Sequence, residues 1–229
     1  IHKDKYKISG LIGYVPQDDL LIDELTVYQN LYYNAKLSFG GFSDMQVNKA
    51  VQRLLVNLDL VDIKNLQVGN PLKKVISGGQ RKRLNIALEL MREPSILLID
   101  EPTSGLSSQD TEMVINLLKA QANKGKLVIA NIHQPSSKIF KKFDKIWILD
   151  KGGFPIYQGN PLDGIVYFKS LSTHVTVAES ECQACGNVDP DQILQIVESK
   201  QIDDQGKITQ KRKIAPVEWY KSYTEKIQE

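Results

Sequence analysis

Residues 96–101 read ILLIDE, four consecutive aliphatic residues followed by two acids. An apolar run without polar alternation is typical of a strand that is covered on both faces, as in a parallel sheet between helices. Similar runs are LVIANI at residues 127–132 and IWIL at residues 146–149, and segments with helical spacing lie between the runs. This alternation predicts an α/β fold with a mainly parallel sheet.

Two helices are predicted upstream of these strands. Thr26 with Gln29, and Ser43 with Gln46, fit the capping box, and apolar residues at helical spacing follow each pair. A short strand that ends at Pro16 precedes them, and a third helix is predicted at about residues 79–91. Because these helices interrupt the strand–helix alternation, residues 26–93 are interpreted as an inserted helical subdomain. A further helix is expected to point Met113, Leu117 and Leu118 inward.

The sequence beyond residue 160 has a different character, so we divide the chain into residues 1–160 and a C-terminal helical extension and linker at residues 161–229. Asn160 and Asp189 each precede a proline and predict helix starts. Residues 200–213 are polar and charged and are interpreted as a linker. Residues 216–228 predict a helix with one side formed by Val217, Tyr220, Tyr223 and Ile227.

Composition argues against a nucleic-acid-binding protein, a membrane-spanning segment and a disulfide-rich scaffold. The 29 Lys and Arg residues nearly balance the 27 Asp and Glu residues, which argues against a nucleic-acid partner. No run of eighteen apolar residues occurs, and no signal peptide opens the chain. Cys182 and Cys185 are compatible with reduced thiols, a redox pair or half of a zinc site, for which only His174 is a nearby further ligand. Their role stays unassigned.

Polar residues that could bind a ligand or take part in catalysis lie at the ends of the predicted helices and strands. Ser77 caps a helix that begins with two glycines, and such an N-terminus binds phosphate, although an ordinary capped helix has the same pattern. Asp100 and Glu101 end a strand at the edge where open α/β sheets bind ligands, although a capping pair before Pro102 would explain one of them. His133 follows the next strand.

Four motifs in order resemble the ABC ATPase family. They are VPQ at residues 15–17, ISGGQRKR at 76–83, ILLIDEPTSGL at 96–106 and IHQPS at 132–136. They are similar to the Q-loop, the signature motif, the Walker B strand with the D-loop, and the switch histidine. The resemblance covers residues 11–159. It is closest to the G-type subfamily of lipid and drug exporters, because of GYVPQDD at 13–19 and HQPSS at 133–137.

The resemblance implies a P-loop NTPase-like fold, with ATP and Mg²⁺ as cofactors. Glu101 would be the general base and His133 would contact the γ-phosphate. Asp100 and Gln17 would hold Mg²⁺, partly through water. Nucleotide contacts would come from the start of the signature helix, at Ser77, Gly78, Gly79 and Gln80. One residue departs from the pattern: the D-loop has Ser107 where the family usually has Asp, which puts communication between two ATP sites in doubt.

The function implied is ATP hydrolysis that powers transmembrane export at the cytoplasmic face of the cell membrane. The implied partners are a second ABC ATPase domain, arranged head to tail, and a permease domain that follows in the same polypeptide. One alternative is a soluble ABC ATPase of translation or DNA maintenance. Ser77 follows Gln17 by only 60 positions, which leaves no room for the long coiled coil of the DNA-repair relatives. The other alternative is a degenerate regulatory domain, against which Glu101 and His133 argue.

The phosphate-binding motif G-x-x-x-x-G-K-[ST] does not occur in the sequence. The order of motifs in the family would place it upstream of Ile1, together with the first strands. We therefore expect the chain to be an N-terminally truncated fragment that neither binds ATP tightly nor hydrolyses it.

Overall fold

Three parallel strands form the centre of the first of two compact units, Ile1–His133 and Gln134–Glu229. The computed structural model describes residues 10–70, 75–171, 187–203 and 205–228. Strand β2 (Ile96–Asp100) lies between β1 (Ile12–Val15) and β3 (Leu127–Asn131), with Ile96 opposite both Ile12 and Leu127. The predicted α/β class with a parallel sheet is confirmed. The division expected at residue 160 stays a prediction.

The described residues of the first unit form four helices: α1 (Val27–Ser38), α2 (Asp44–Asn57), α3 (Gly78–Leu90) and α4 (Ser108–Asn123). The first three begin with the capping box, at Thr26, Ser43 and Ser77, and in each case the side-chain oxygen and the Gln three positions later satisfy backbone N–H groups. In α4, Leu118 is buried as expected, whereas Met113 and Leu117 are half-buried.

Only one face of the parallel sheet is buried. Val15, Leu97 and Ile99 are at most 3% exposed on that face, whereas Ile12, Tyr14 and Ile129 on the opposite face are 42–53% exposed. The expectation of strands covered on both faces is therefore wrong for β3, whose residues alternate between exposed and half-buried. The physical reason is that α3 contacts β1 and α4 contacts β3, while no described residues form a layer over the opposite face.

The second unit is built around an antiparallel hairpin of β4 (Ile146–Asp150) and β5 (Phe154–Gly159). The run at residues 146–149 was interpreted as a further strand of the series that turns through residues 151–153 into Ile156 and Tyr157. The turn is present, because the glycines at 152 and 153 adopt positive φ angles, but the strand pairs with β5 and not with the parallel sheet.

The helices of the second unit are α5 (Ser137–Phe140), α6 (Pro161–Leu171), α7 (Asp191–Val197) and α8 (Pro216–Gln228). The helix starts predicted after Asn160 and Asp189 are confirmed. The helix predicted at residues 216–228 is present; Trp219 is 1% exposed and packs on Phe168, whereas Val217 and Tyr220 are 44% and 36% exposed. Burial of the large indole contributes more than burial of the smaller Val217 side chain.

Residues 200–213 form a second antiparallel hairpin rather than a linker, with strands β6 (Lys200–Ile202) and β7 (Ile208–Arg212). The Asp203 carboxylate accepts hydrogen bonds from the N–H groups of Gln205 and Lys207, at 3.0 Å and 2.8 Å, and closes the turn. Arg212 pairs with the buried Asp150 carboxylate at 2.5 Å and fixes the hairpin to β4.

The structure bears on the cysteine pair and on membrane-spanning helices as follows. Cys182, Cys185 and His174 lie outside the described residues. Over the part of the chain that is described, no helix is both long enough and apolar enough to cross a membrane.

Candidate functional site at the edge of the parallel sheet

The carboxyl ends of β2 and β3 bring two polar side chains together. Asp100 and Asn131 are paired in the sheet, and Asn131 Nδ2 donates a hydrogen bond to Asp100 Oδ1 at 3.1 Å. The next residue, Glu101, donates its N–H to the Asn131 carbonyl oxygen at 3.1 Å. Sequence reasoning missed Asn131, although a polar residue at the end of an apolar strand is a recognisable signal.

Gln17 lies against this pair of strands, two residues beyond β1. Its Nε2 donates a hydrogen bond to Glu101 Oε2 at 2.9 Å. Glu101 has a φ of 41°, in the left-handed region that is unfavourable for a side chain with a Cβ atom. The chain thus turns sharply after Asp100, and the two neighbouring carboxylates have different partners. The structure brings together Gln17, Asp100 and Glu101, three of the residues expected to form the site.

His133 and its neighbour follow β3. The imidazole is exposed and stands two residues beyond the strand, at the same edge as Asp100. Gln134 has a φ of 44°, so the backbone is again in a strained region directly after the histidine. The edge of the sheet therefore carries two strained turns, one after each of the strands β2 and β3.

Helix α3 is connected to the Gln17 segment by Lys82. Its Nζ donates to the carbonyl oxygens of Pro16 and Gln17, at 3.3 Å and 3.2 Å. Burial of the ammonium group lowers the pKa of Lys82, and the negative charges of Asp100 and Asp19 act in the opposite direction. Sequence reasoning did not single out this residue, although it lies in the basic run that follows the glycines.

Arg81 makes a second connection between the same elements. Its side chain is 14% exposed and pairs with Asp19 at 2.5 Å and with Asp23 at 2.8 Å. The guanidinium also donates to the carbonyl oxygen of Gly69. The hydrogen bond to Asp19 is the main cause that raises the pKa of Arg81 further above its ordinary range. Helix α3 is thereby fixed to the chain immediately downstream of Gln17.

The start of α3 has the geometry of a capped helix N-terminus. Ser77 Oγ accepts from the Gln80 N–H at 3.1 Å, and Gln80 Oε1 accepts from the Ser77 N–H at 2.8 Å. Ser77 and Gly78 are exposed, whereas Gly79 is buried. A Cβ atom on Gly79 would lie 2.0 Å from Asp110 Oδ1, so this position has no room for a side chain. Gly79 is therefore restricted by its contact with Asp110, whereas Gly78 is exposed.

Comparison with known proteins identifies the family. The family described as "ABC transporter" matches residues 2–104, and the one described as "ABC-2 type transporter" matches residues 133–228. Similar proteins include ABC transporter G family member 25 of Oryza sativa subsp. japonica, 40% identical over 171 residues, and ABC transporter G family member 14 of Arabidopsis thaliana, 40% identical over 173 residues. This chain belongs to the ABC transporter family. Each alignment covers 74% of the chain, but only 17% and 26% of the respective relative.

A fungal relative gives the same result: the ABC-type transporter claG of Penicillium crustosum is 40% identical over 147 residues, which are 64% of this chain and 20% of that protein. The resemblance read from the four motifs is confirmed, and the G family names agree with the subfamily expected from the sequence. The chain spans between 17% and 26% of the length of these three relatives.

The ABC site residues have the donor set that Mg²⁺ requires. Mg²⁺ prefers oxygen ligands and keeps several of its waters, so one or two protein oxygens are enough. Asp100 supplies a carboxylate at the strand end, and the Gln17 side chain carries an amide oxygen beside the nitrogen that donates to Glu101. No group of three or more potential His, Cys, Asp or Glu ligands occurs among the described residues.

Ser107, the departure from the usual D-loop of the ABC family, caps α4. Its Oγ accepts a hydrogen bond from the Asp110 N–H at 3.1 Å and lies 2.9 Å from Asp110 Oδ2. Serine and aspartate are both good N-caps, so this residue type is compatible with the local structure. The negative charge expected at 107 is found one helical turn further on, at Asp110.

Proposed function

We propose that this chain is the ATP-hydrolysing part of a G-type ABC transporter that powers transmembrane export. The observation that carries the proposal is the hydrogen bond from Gln17 to Glu101 beside Asp100, at the edge of the parallel sheet. Membership of the ABC transporter family and the G family names of the relatives support it. Those names do not favour a soluble ATPase of translation or DNA maintenance, nor a degenerate regulatory domain.

The proposal gives each site residue a role. Glu101 is the general base that takes a proton from the attacking water, and the Gln17 amide holds its Oε2 in place. His133 contacts the γ-phosphate from the neighbouring strand end. Asp100, oriented by Asn131, and the Gln17 amide oxygen hold Mg²⁺, which supplies charge stabilisation to the phosphates when it is bound. The start of α3, with Ser77, Gly78, Gly79 and Gln80, faces the nucleotide of a second ABC domain.

The partners follow from the same proposal. Two ABC domains form a head-to-tail dimer at the cytoplasmic face of the cell membrane, and a permease domain follows in the same polypeptide. Residues 1–160 form part of the ABC domain, with the helical subdomain at residues 26–93, and residues 161–229 lead toward the permease. The match to the family described as "ABC-2 type transporter" supports this order along the chain. A nucleic-acid partner is not proposed, because the formal net charge is only +2.

Glu101→Gln in the intact polypeptide that carries this chain tests the proposal. The amide cannot accept the proton, so ATP turnover falls by about 10²- to 10⁴-fold, while nucleotide binding persists. Phosphate release and nucleotide binding are measured side by side. Glu24→Gln is the matched control, because Glu24 is exposed and lies outside the site. Unchanged turnover in Glu101→Gln would refute the assignment of the base.

A further inference from the structure

Both glycines at the start of α3 face residues 103–110. A Cβ atom on Gly78 would lie 3.4 Å from Leu106 Cδ2, and one on Gly79 would lie 2.0 Å from Asp110 Oδ1 and 2.7 Å from Asp110 Cβ. The first distance is an ordinary van der Waals contact, whereas the second pair cannot occur. The space that a side chain at 79 would need is thus filled by the Asp110 carboxylate.

Two side chains fix the position of that carboxylate. On one side, the Ser107 hydroxyl donates to Asp110 Oδ2 at 2.9 Å. On the other, Arg83 Nη1 lies 3.6 Å from Asp110 Oδ1, and the Arg83 side chain is only 6% exposed. Arg83 Nε is buried and has no hydrogen-bond acceptor among the described residues. A buried guanidinium requires a counter-charge close by, and Asp110 supplies it.

The location of the charge also suits the helix. Asp110 lies beside the first turn of α3, where the partial positive charge of a helix N-terminus stabilises a carboxylate. Arg83 stands one turn further along the same helix. The Asp110 carboxylate is therefore in contact with two successive turns of α3. Its own helix, α4, begins directly after Ser107 of the D-loop.

We propose that Asp110 is a positioning residue for the first turn of α3, and that Ser107 sets where its carboxylate lies. Ser107 caps α4 and donates to Asp110, so a displacement of residues 104–107 moves the carboxylate and the backbone at Gly79 that rests on it. The inference rests on the proposed function in one respect: this turn matters for ATP hydrolysis because its N–H groups face a phosphate.

A matched pair of substitutions at one position tests the proposal. Ser107→Asn keeps an N-cap acceptor and supplies an amide N–H that donates to Asp110. The aspartate in Ser107→Asp has nearly the same size as asparagine and also caps α4. It has no group that donates a hydrogen bond to Asp110, and it places a second carboxylate against Asp110. Hydrogen exchange of the 229-residue chain is measured for peptides covering residues 78–84, with peptides from β2 and α1 as internal controls.

The expected result is local. In Ser107→Asp, exchange at residues 78–84 becomes about tenfold faster, the effect of about 1.4 kcal/mol, while Ser107→Asn stays close to the wild type. Exchange in β2 and α1 is unchanged in both variants. Equal exchange at residues 78–84 in the two variants overturns the proposal, and so does a uniform increase across the unit, since that is the response to general destabilisation.

Catalysis in the intact polypeptide gives a second readout. If the first turn of α3 is misplaced, the KM for ATP rises about tenfold in Ser107→Asp and kcat changes less, because the turn binds the nucleotide and Glu101 is untouched. Ser107→Asn keeps the wild-type KM. An unchanged KM in Ser107→Asp overturns the link to nucleotide binding. A wild-type protein without ATPase activity contradicts the proposed function instead, and leaves the exchange result as it stands.

Discussion

Lys82 shows how one side chain can report on the geometry of the site. Its ammonium group is half-buried between α3 and the Pro16 and Gln17 carbonyl oxygens, and burial lowers its pKa. Sequence reasoning identified Gln17, Asp100 and Glu101 because they belong to motifs. It missed Lys82 and Asn131, because their roles depend on which backbone segments lie beside them in the fold.

The lowered pKa of Lys82 predicts a pH dependence of stability. Between that pKa and the ordinary lysine value of about 10.4, the unfolded chain binds more protons than the folded one, so folding becomes more favourable as the pH rises. Relative to Lys82→Met, the wild type should therefore gain stability from about pH 7 to about pH 10. Urea unfolding of both proteins at each pH measures the difference, in which all other titrating groups cancel. A difference that stays constant or shrinks contradicts the assigned environment.

At the scale of elements, the capping patterns and the apolar faces of α1 and α2 were predicted correctly, whereas features that depend on distant contacts were not. Thr26, Ser43 and Ser77 start their helices because the capping box acts within four residues and depends little on distant contacts. The burial of Trp219 in α8 and the hairpin at residues 200–213 were missed. Both depend on long-range contacts, the packing of Trp219 on Phe168 and the ion pair of Arg212 with Asp150, which no local pattern encodes.

The attachment of α3 to the Gln17 segment predicts a stability effect. Arg81→Met leaves Asp19 and Asp23 without their partner in a largely buried place, so we expect the free energy of unfolding to fall by about 1–3 kcal/mol. Arg53→Met is the matched control, because Arg53 and Glu93 form an ion pair with side chains 65% and 64% exposed. Such exposed pairs contribute about 0–1 kcal/mol. Urea unfolding measures both variants, and equal effects would contradict the distinction.

At the scale of the whole molecule, the sequence predicted the α/β class but not how its sheet is covered. The apolar run in β3 indicated burial on both faces, whereas its residues alternate between exposed and half-buried. Apolar composition records which side chains can be buried. It does not record which other elements of the fold cover the sheet. The prediction was wrong because burial of a strand face depends on the layer that packs against it.

The 229-residue chain by itself is predicted not to hydrolyse ATP. It carries the proposed base, the Mg²⁺ residues and the signature helix, but its sequence contains no G-x-x-x-x-G-K-[ST] loop, whose N–H groups and lysine hold the phosphates. Calorimetric titration of the chain with MgATP is expected to show no micromolar binding. A matched titration of the intact polypeptide serves as the positive control. Micromolar binding by the chain alone would contradict the prediction.

The contact between Gly79 and Asp110 constrains how this protein can evolve. Alanine at position 79 would place its Cβ 2.0 Å from Asp110 Oδ1 and 2.7 Å from Asp110 Cβ, so residue 110 has to shift before that substitution is accommodated. Loss of the carboxylate first leaves Arg83 without its counter-charge. Substitutions at 79, 83 and 110 therefore have non-additive effects on fitness, and the three positions are expected to change in a restricted order.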